Sequence, residues 1–569
     1  MQPPCVQACC DACFPTSSVL PSYSHEFPNS SHGEFEAATS STLPPSTQFT
    51  NNEALPTLDD SYINFTKAYP SFGNTSQVDR IRAQEYYHLN PSNICFDYTG
   101  YGLFSHAQDQ ASSSASSSSS PPPPPPPFFL ISHKALTLHS QILYGGQESE
   151  LESKIRERIM AFMNISEADY TLVFIANEVS AFKLVADSFQ FQPGGELITV
   201  YDHKSEAVDA MIETCKEQGV RVLSAKFSWP SLRIMGRKLK KMVVSKRGKR
   251  KRGLFVFPLH SSVTGTPYSY LWMSLARKFG WHVLLDARAL GPKEMDTLGL
   301  TIFKPDFIVC SFYKVFGQNP SGFGCLFIKK SSVSALRESG NATSMGIVGL
   351  SPAFRSVSPQ QVLSSSEIVE VSTCLESGQS REKLGTGLEI ECRGLDHADS
   401  VGLVVISCRG KFLINWLVNA LIRLQHPHPP TGNFLIRIYG PKISLQRGTV
   451  VAFNVFDWKG EKVDPSIVQK LAGRCNISLS NAFLQNIWFS ERSDKEGQRA
   501  LEKVNMLGQS NKSRNGDFGI NVVTASLALF TNFEDVYRLW AFLSRFLDAD
   551  FVDKERWRYM AINQKIIDI

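Results

Sequence analysis

The fold is decided by an apolar run that ends in polar residues, Phe307-Ile308-Val309-Cys310-Ser311-Phe312-Tyr313-Lys314. Its first four residues predict a buried strand, because short continuous apolar runs are typical of strands covered on both faces. Working outward, similar strands are predicted at Thr171–Ile175, Leu197–Val200, Val220–Ser224, Leu254–Phe257, His282–Leu285 and Gly324–Ile328, with helices at Glu150–Met163, Ala181–Phe189 and Glu206–Gln218. This alternation predicts an α/β fold with a mostly parallel, doubly wound sheet.

Changes in composition predict four regions. Residues 1–75 are acidic and rich in Ser, Thr, Pro and Asn, which predicts a disordered tail. Residues 76–330 are expected to form the large domain, interrupted by a Ser/Pro low-complexity insertion at 112–127 and a basic loop at 237–252. Residues 331–385 are interpreted as a Ser-rich linker or insertion, and residues 386–569 as a smaller C-terminal α+β domain.

Charge and hydropathy exclude several classes of protein. A net charge of +5 over 569 residues is too small for a protein that binds nucleic acid through its whole surface. The basic loop is consistent with a nuclear-localisation or nucleic-acid patch, or with a solvated surface loop. It contains no interleaved aromatic residues, so nucleic acid is not expected as a partner. The chain shows no secretory signal, no transit peptide and no run of about 18 apolar residues, which predicts a cytoplasmic protein without a membrane segment.

Four of the 12 cysteines crowd into the first 13 residues, at Cys5, Cys9, Cys10 and Cys13. Their spacing suits Zn²⁺ ligands, but no second ligand pair follows at zinc-finger spacing, so no metal site is predicted. Lipid attachment and a reactive tail are equal alternatives. The other cysteines are scattered, as is typical of reduced, buried thiols.

Three polar segments follow predicted strands, where ligands bind on doubly wound sheets. Lys314 follows the run quoted above, Asp286 follows His282–Leu285, and His203 follows Leu197–Val200. A desolvated lysine can form a Schiff base, an aspartate can pair with a protonated pyridine nitrogen, and a histidine can stack on the ring. Structural roles remain open on this pattern alone, because Asp286 can also cap a helix and Lys314 can be a surface residue.

The sequence around these residues resembles the N-terminal, cysteine-desulfurase-like domain of molybdenum cofactor sulfurases, within the aminotransferase class V group. The resemblance is clearest at Cys310-Ser311-Phe312-Tyr313-Lys314-Val315-Phe316-Gly317, and it includes Ile94–Ser105 and Phe174–Val185. It covers most of residues 76–330 and part of the C-terminal third, near Gly519–Arg538. It implies a fold-type-I transferase that uses pyridoxal 5'-phosphate, acts on an amino acid (L-cysteine in the desulfurases) and forms a homodimer.

The resemblance also implies a role for individual residues. Lys314 would hold the cofactor as an aldimine and act as general acid and base at the substrate Cα. Asp286 would pair with the pyridine nitrogen. The other implied contacts are the phosphate ligand Ser311, the stacking residue His203, the phosphate-binding turn at Ala176 and Asn177, and the ring-contacting segment with Ser262 and Thr264.

The chain departs from the family pattern at two catalytic positions. The stretch expected to carry the persulfide-forming cysteine, Asn481–Asn486, has none, and Cys475 lies upstream of it. The stretch expected to carry the arginine for the substrate carboxylate, Ile520–Ser526, has no arginine. In the phosphate-binding turn, Glu178 adds a carboxylate. The sequence therefore leaves open a second function, a catalytically impaired homologue that serves as a binding or regulatory scaffold.

Overall fold

The computed structural model describes residues 29–44, 47–86, 89, 93–97, 101–103, 105, 129–145, 148–244, 253–287, 303–313, 322–338, 346–352, 390–427, 434–489, 502–503, 518–551, 553–555 and 557–558. Its helices are α1 Asn29–Ser41, α2 Leu58–Ala68, α3 Ser76–Glu85, α4 Leu138–Tyr144, α5 Glu150–Phe162, α6 Glu178–Ser188, α7 Glu206–Glu217, α8 Gly236–Val243, α9 Leu271–Lys278, α10 Arg393–Val401, α11 Leu403–Ile422, α12 Pro465–Arg474 and α13 Phe533–Ser544.

The strands come from all parts of the described chain. They are β1 Ile94–Cys95, β2 Tyr101–Gly102, β3 Phe129–His133, β4 Tyr170–Ile175, β5 Glu196–Thr199, β6 Arg221–Ser224, β7 Phe227–Ser228, β8 Arg233–Ile234, β9 Leu254–Pro258, β10 His282–Asp286, β11 Phe307–Tyr313, β12 Phe323–Lys329, β13 Val348–Pro352, β14 Ile436–Tyr439, β15 Val450–Val455, β16 Ile477–Ser478, β17 Ser480–Leu484, β18 Ile487–Trp488, β19 Glu502–Lys503 and β20 Phe518–Ser526.

The central sheet has the order β4-β12-β11-β10-β9-β5-β6, with β2 paired to β11. Its pairs are parallel except those of β12, which runs antiparallel to β4 and β11. Alternate residues of β9 enter different cores: Phe255 and Phe257 lie in one cluster, and Leu254 and Val256 in another. Because both faces of β9 are covered, all of its side chains are buried, which explains its continuous apolar run. The predicted doubly wound α/β fold is confirmed.

A smaller unit follows in the C-terminal third. Strands β14, β15, β20 and β17 form an antiparallel sheet, with β19 paired to β20. It packs with α11, α12 and α13 around its own apolar cluster. By length and apolar character α11 is the one described helix that could span a membrane, but 72% of its most apolar window is buried inside the protein.

The predicted disorder of residues 1–75 is wrong for the part that the structure describes. Helix α2 carries Thr57 as its N-cap and buries Phe65. Phe49, Phe65 and Phe72 lie in the same apolar cluster as Trp416 of α11 and Trp540 of α13. The polar average of the segment concealed this short apolar face, since a few large aromatic side chains are enough to anchor a helix. Cys5, Cys9, Cys10 and Cys13 lie outside the described residues.

Two other predicted boundaries need correction. The basic loop at 237–252 begins as helix α8, whose Leu239 and Val243 are buried one turn apart; residues 245–252 lie outside the described part. The predicted linker at 331–385 contains β13, which pairs antiparallel with β3. A short strand among many serines gives too weak a period to be recognised from sequence. The Ser/Pro insertion at 112–127 and residues 353–389 also lie outside the described residues.

Candidate functional site

The carboxyl ends of β5, β9, β10 and β11 meet at one edge of the central sheet, because these strands are parallel and in register. Asp286 is the last residue of β10, stands opposite Pro258 and Val309, and is 3% exposed. The Tyr201 hydroxyl, two residues beyond β5, donates a hydrogen bond to Asp286 Oδ2 at 3.1 Å. A carboxylate is thus held at the strand edge where the sequence predicted it.

Ser311 and the Ala176-Asn177 turn lie at this edge with strand β12 between them. Ser311 of β11 is opposite Gly324 of β12, and Gly324 is opposite Ile175 of β4. A Cβ on Gly324 would lie 3.3 Å from Ile175 Cγ1 and 3.4 Å from the carbonyl carbon of Asn177, so glycine lets the turn come close. Ser311 Oγ is buried and has no hydrogen-bond partner among the described residues.

The turn opens α6, which begins three residues before the predicted start at Ala181. The Asn177 side chain caps the helix by accepting a hydrogen bond from Ser180 N at 2.9 Å. The amino terminus of a helix favours anions, since its first N–H groups lack partners within the helix and its dipole is positive there. Glu178, the first helical residue, is 8% exposed and brings a negative charge to the same place.

His203, Ser262 and Thr264 belong to one hydrogen-bond network whose centre is the buried Asp202. Asp202 accepts from Ser261 Oγ and Thr264 Oγ1, both at 2.8 Å, and lies 2.8 Å from His203 Nδ1. A carboxylate only accepts, so Nδ1 carries the proton of this bond. His203 Nε2 then faces Ser262 Oγ at 3.1 Å. The network fixes the orientation of the imidazole ring.

Asp202 was missed by the sequence interpretation, although it is the most buried acid of the site, with 0% exposure. Burial alone would raise its pKa, but the hydrogen bonds from His203, Ser261 and Thr264 outweigh burial and hold the pKa below its ordinary value. A signal was present in the sequence, since an acid directly before a strand-end histidine is well placed to hold its ring. The hydroxyl of Thr264, a residue predicted to lie in the ring-contacting segment, takes part in this network with Asp202 and Thr266.

We expect Asp202→Asn to destabilise the protein at neutral pH by about 1–3 kcal/mol. The reason is that an NH₂ group, which donates, replaces one of two buried carboxylate oxygens that accept hydrogen bonds. The lowered pKa means that the carboxylate stabilises the fold above the ordinary aspartate pKa, and that this stabilisation is lost as the pH falls through the folded-state pKa. The free energies of unfolding of wild type and variant, measured by urea denaturation, should therefore approach each other as the pH is lowered. Asp550→Asn, at an exposed ion pair with Lys554, is the matched control and should change stability by less than about 0.5 kcal/mol. A constant difference at every pH would contradict the ionised Asp202.

The segment expected to carry the persulfide cysteine is held against this network. Phe483 O accepts from Lys204 N at 2.8 Å, Gln485 N donates to Asp202 O at 2.8 Å, and Gln485 Nε2 donates to His203 O at 3.0 Å. The Asn486 side chain reaches Tyr201 O at 3.3 Å. Within the described chain, the segment in which the sequence predicted the persulfide cysteine is therefore strand β17 and its continuation. Cys475 is exposed at the end of α12, beside Arg545.

The structure thus groups seven of the eight residues named from the sequence at one sheet edge. Asp286 is hydrogen-bonded to Tyr201, two residues before His203. Ser262 and Thr264 belong to the same hydrogen-bond network as His203. The strand pairing of β11, β12 and β4 brings Ser311 to the same edge as Ala176 and Asn177. The eighth, Lys314, lies outside the described residues, directly after β11 in the sequence. Among the described residues there is no cluster of His, Cys, Asp and Glu side chains that could hold a metal ion.

Comparisons with known proteins agree with this geometry. Residues 129–347, which carry all of these positions, match the family model of aminotransferase class-V. The chain is also 24% identical to the molybdenum cofactor sulfurase of Bos taurus over 403 residues, and 24% identical to that of Homo sapiens over 438 residues. The predicted resemblance to this family is confirmed.

The match is partial in both directions. The alignments cover 65% and 72% of this chain but only 42% and 44% of the bovine and human proteins. The chain therefore spans less than half the length of these relatives. Among solved structures, a cysteine desulfurase of Escherichia coli is similar with a TM-score of 0.44 at 17% identity, covering 72% of this chain and 90% of that one. A cysteine desulfurase of Thermococcus onnurineus gives a TM-score of 0.43 at 14% identity, covering 71% and 87%.

Proposed function

We propose that this chain is a pyridoxal-phosphate-dependent enzyme that acts on an amino acid, with Lys314 as the residue that binds the cofactor. The observation that carries the proposal is the grouping of Asp286, His203 and Ser311 at one sheet edge of a class-V domain. When bound, pyridoxal phosphate supplies an electron sink for a bond broken at the substrate Cα. The residues of the chain would bind it, orient it and move protons.

The described residues fit such a cofactor. Asp286 is a buried carboxylate oriented by its Tyr201 hydrogen bond, and a carboxylate has acceptor sites enough to serve a protonated ring nitrogen as well. Ser311 Oγ is a buried hydroxyl with no described partner. One strand away, at the same sheet edge, lies the amino terminus of α6, where a phosphate is favoured. His203 is held rigidly by Asp202 and Ser262, as a ring-contacting residue must be.

Lys314 is the residue after β11 in the sequence. Its amine would take the proton from the substrate Cα and return it. His203 Nε2, which faces the Ser262 hydroxyl, offers a second place to hold a proton. The substrate class that we propose is an amino acid, with L-cysteine as the first compound to test. Formation of a persulfide is not part of the proposal, because the described strand β17 offers no cysteine to receive sulfur. A homodimer is proposed by analogy with the family.

The proposal is tested by titrating purified protein with pyridoxal phosphate and recording visible absorption. Deuterium exchange at Cα would then be measured by mass spectrometry for a panel of amino acids in D₂O, since exchange reports proton transfer whatever reaction follows. We expect a visible band and exchange for at least one amino acid. A protein that stays colourless would favour the alternative function, a scaffold that keeps the fold without the chemistry. A coloured protein without exchange would overturn only the catalytic part.

Removing the carboxylate beside the phosphate position is expected to tighten cofactor binding. Glu178→Gln should lower the Kd for pyridoxal phosphate about fivefold, because a negative charge near the phosphate costs roughly 1 kcal/mol of binding free energy. Absorbance titrations measure the effect. Glu150→Gln removes the same first-turn charge from α5 and should leave the Kd unchanged. Weaker binding by Glu178→Gln would place the phosphate elsewhere.

A further inference from the structure

A small sheet on the surface of the large domain brings an aromatic side chain to the basic part of the sequence. Strands β18, β7 and β8 lie side by side, with Trp488 opposite Ser228 and Ser228 opposite Arg233. Residues opposite each other in neighbouring strands share a face of the sheet. The other face carries Ile487, Phe227 and Ile234, and Phe227 is fully buried. The row formed by Trp488, Ser228 and Arg233 therefore faces outward, and Trp488 is 46% exposed.

One cation contacts this outward row, and others are close to it in the sequence. Lys238 of α8 places its Nζ 2.8 Å from the centroid of the Trp488 ring, a cation–π contact. Arg237 and Lys241 of the same helix are exposed, as is Lys226 two residues before Ser228. The sequence from Gln218 to Leu285 contains no Asp or Glu. We call the described group Trp488, Ser228, Arg233, Lys226, Arg237, Lys238 and Lys241 the Trp488 platform.

We propose that the Trp488 platform binds single-stranded nucleic acid. An exposed indole offers a stacking surface for an unpaired base, and arginine and lysine side chains around it offer contacts to the phosphates on either side. The sequence argued against such a partner because the basic block has no aromatic residue. The structure supplies one from a position about 250 residues later in the chain, through the parallel pairing of β18 with β7.

Two other anionic partners fit the platform less well. An acidic protein surface would use the cations but would gain little from the indole, since carboxylates have no ring to stack. A duplex keeps its bases paired and stacked inside, so it would contact the cations alone. The proposal does not depend on the proposed enzymatic function, because none of the platform residues belongs to the strand-edge site.

The test is the binding of a fluorescein-labelled, single-stranded oligouridylate to the full chain, followed by fluorescence anisotropy. Trp488→Ala should weaken binding about 5- to 100-fold, the range found when a base loses an aromatic stacking partner. The chain offers a matched control: Trp458 is also exposed and also has a lysine, Lys459, over its ring at 5.2 Å. Trp458→Ala should leave the Kd unchanged. Both indoles are half-exposed, so unaltered melting temperatures would show that both variants fold.

Charge contacts are tested by salt dependence. Replacing Arg233 and Arg237 together by glutamine should make the slope of log K against log salt shallower, by about 0.7 for each phosphate that the variant no longer neutralises. Lys459→Gln should not change the slope. Absence of binding at low salt would overturn the proposal. So would equal losses of affinity in the two tryptophan variants, an unchanged Kd in Trp488→Ala, or a polyglutamate that binds as tightly as the oligonucleotide.

Discussion

Lys314→Ala is expected to abolish the visible absorption that pyridoxal phosphate gives with the wild-type protein, and to reduce Cα exchange by at least about 10²- to 10⁴-fold. The reason is chemical: the resemblance assigns to Lys314 the amine that joins the cofactor covalently, and the same amine would carry the proton at Cα. In the sequence Lys314 directly follows β11, whose register with β10 sets Val309 opposite Asp286. An alanine side chain can neither form the covalent bond nor carry the proton.

Borohydride reduction makes the outcome unambiguous. In the wild-type protein it should fix the cofactor to a tryptic peptide containing Lys314, detectable by mass spectrometry. Lys330→Ala, an exposed lysine after the next strand of the sheet, is the matched control and should keep both the band and the labelled peptide. If Lys314→Ala kept the label on another lysine, the assignment of Lys314 would be wrong even if the protein binds the cofactor.

Asp535→Ala is expected to cost about 3–5 kcal/mol of the free energy of unfolding. Asp535 and Arg82 form a buried, two-pronged ion pair, with Arg82 Nη2 at 3.0 Å from Asp535 Oδ1 and side chains 7% and 9% exposed, respectively. Arg82 also donates to the carbonyl oxygens of Leu89 and Phe530. Removing the carboxylate takes away the counter-ion of a buried guanidinium, which is the costly way to break such a pair.

The aspartate has a second role that adds to this cost. It accepts from Asn532 N at 3.0 Å while Asn532 accepts from Asp535 N, so the pair caps helix α13. Glu534→Ala is the matched control, because its neighbouring carboxylate makes a half-exposed i,i+4 pair with Arg538 and should cost less than about 0.5 kcal/mol. Urea denaturation measures both. Equal losses of stability would mean that α3 and its arginine are not anchored to the C-terminal unit.

The strands of the central sheet could be predicted because they are buried on both faces. Most of them are short apolar runs in the sequence, and Asp286 and His203 could be located by their position at the ends of such runs. The same reasoning failed for α2 and α8. Both are short amphipathic helices in strongly polar surroundings, where a few buried side chains decide the structure and the average composition points the other way.

The site was predictable only in part, for a related reason. The resemblance named residues that contact a cofactor, but Asp202 acts by holding another residue, His203, and such support comes from hydrogen bonds that sequence spacing does not reveal. The pairing of Trp488 with Ser228 was equally hidden, because it joins strands that lie far apart in the chain. Contacts at large sequence separation are the ones that local patterns cannot supply.

The continuous segment from β17 to β18 has a mechanical consequence. At one end, β17 pairs with β20 in the smaller sheet, and at the other end β18 pairs with β7 beneath the Trp488 platform. Between them, the segment hydrogen-bonds to residues 201–204. A hinge motion that separated the two units at this edge would have to break these hydrogen bonds together, each worth about 1 kcal/mol. A hinge motion between the two units would therefore pivot about this segment.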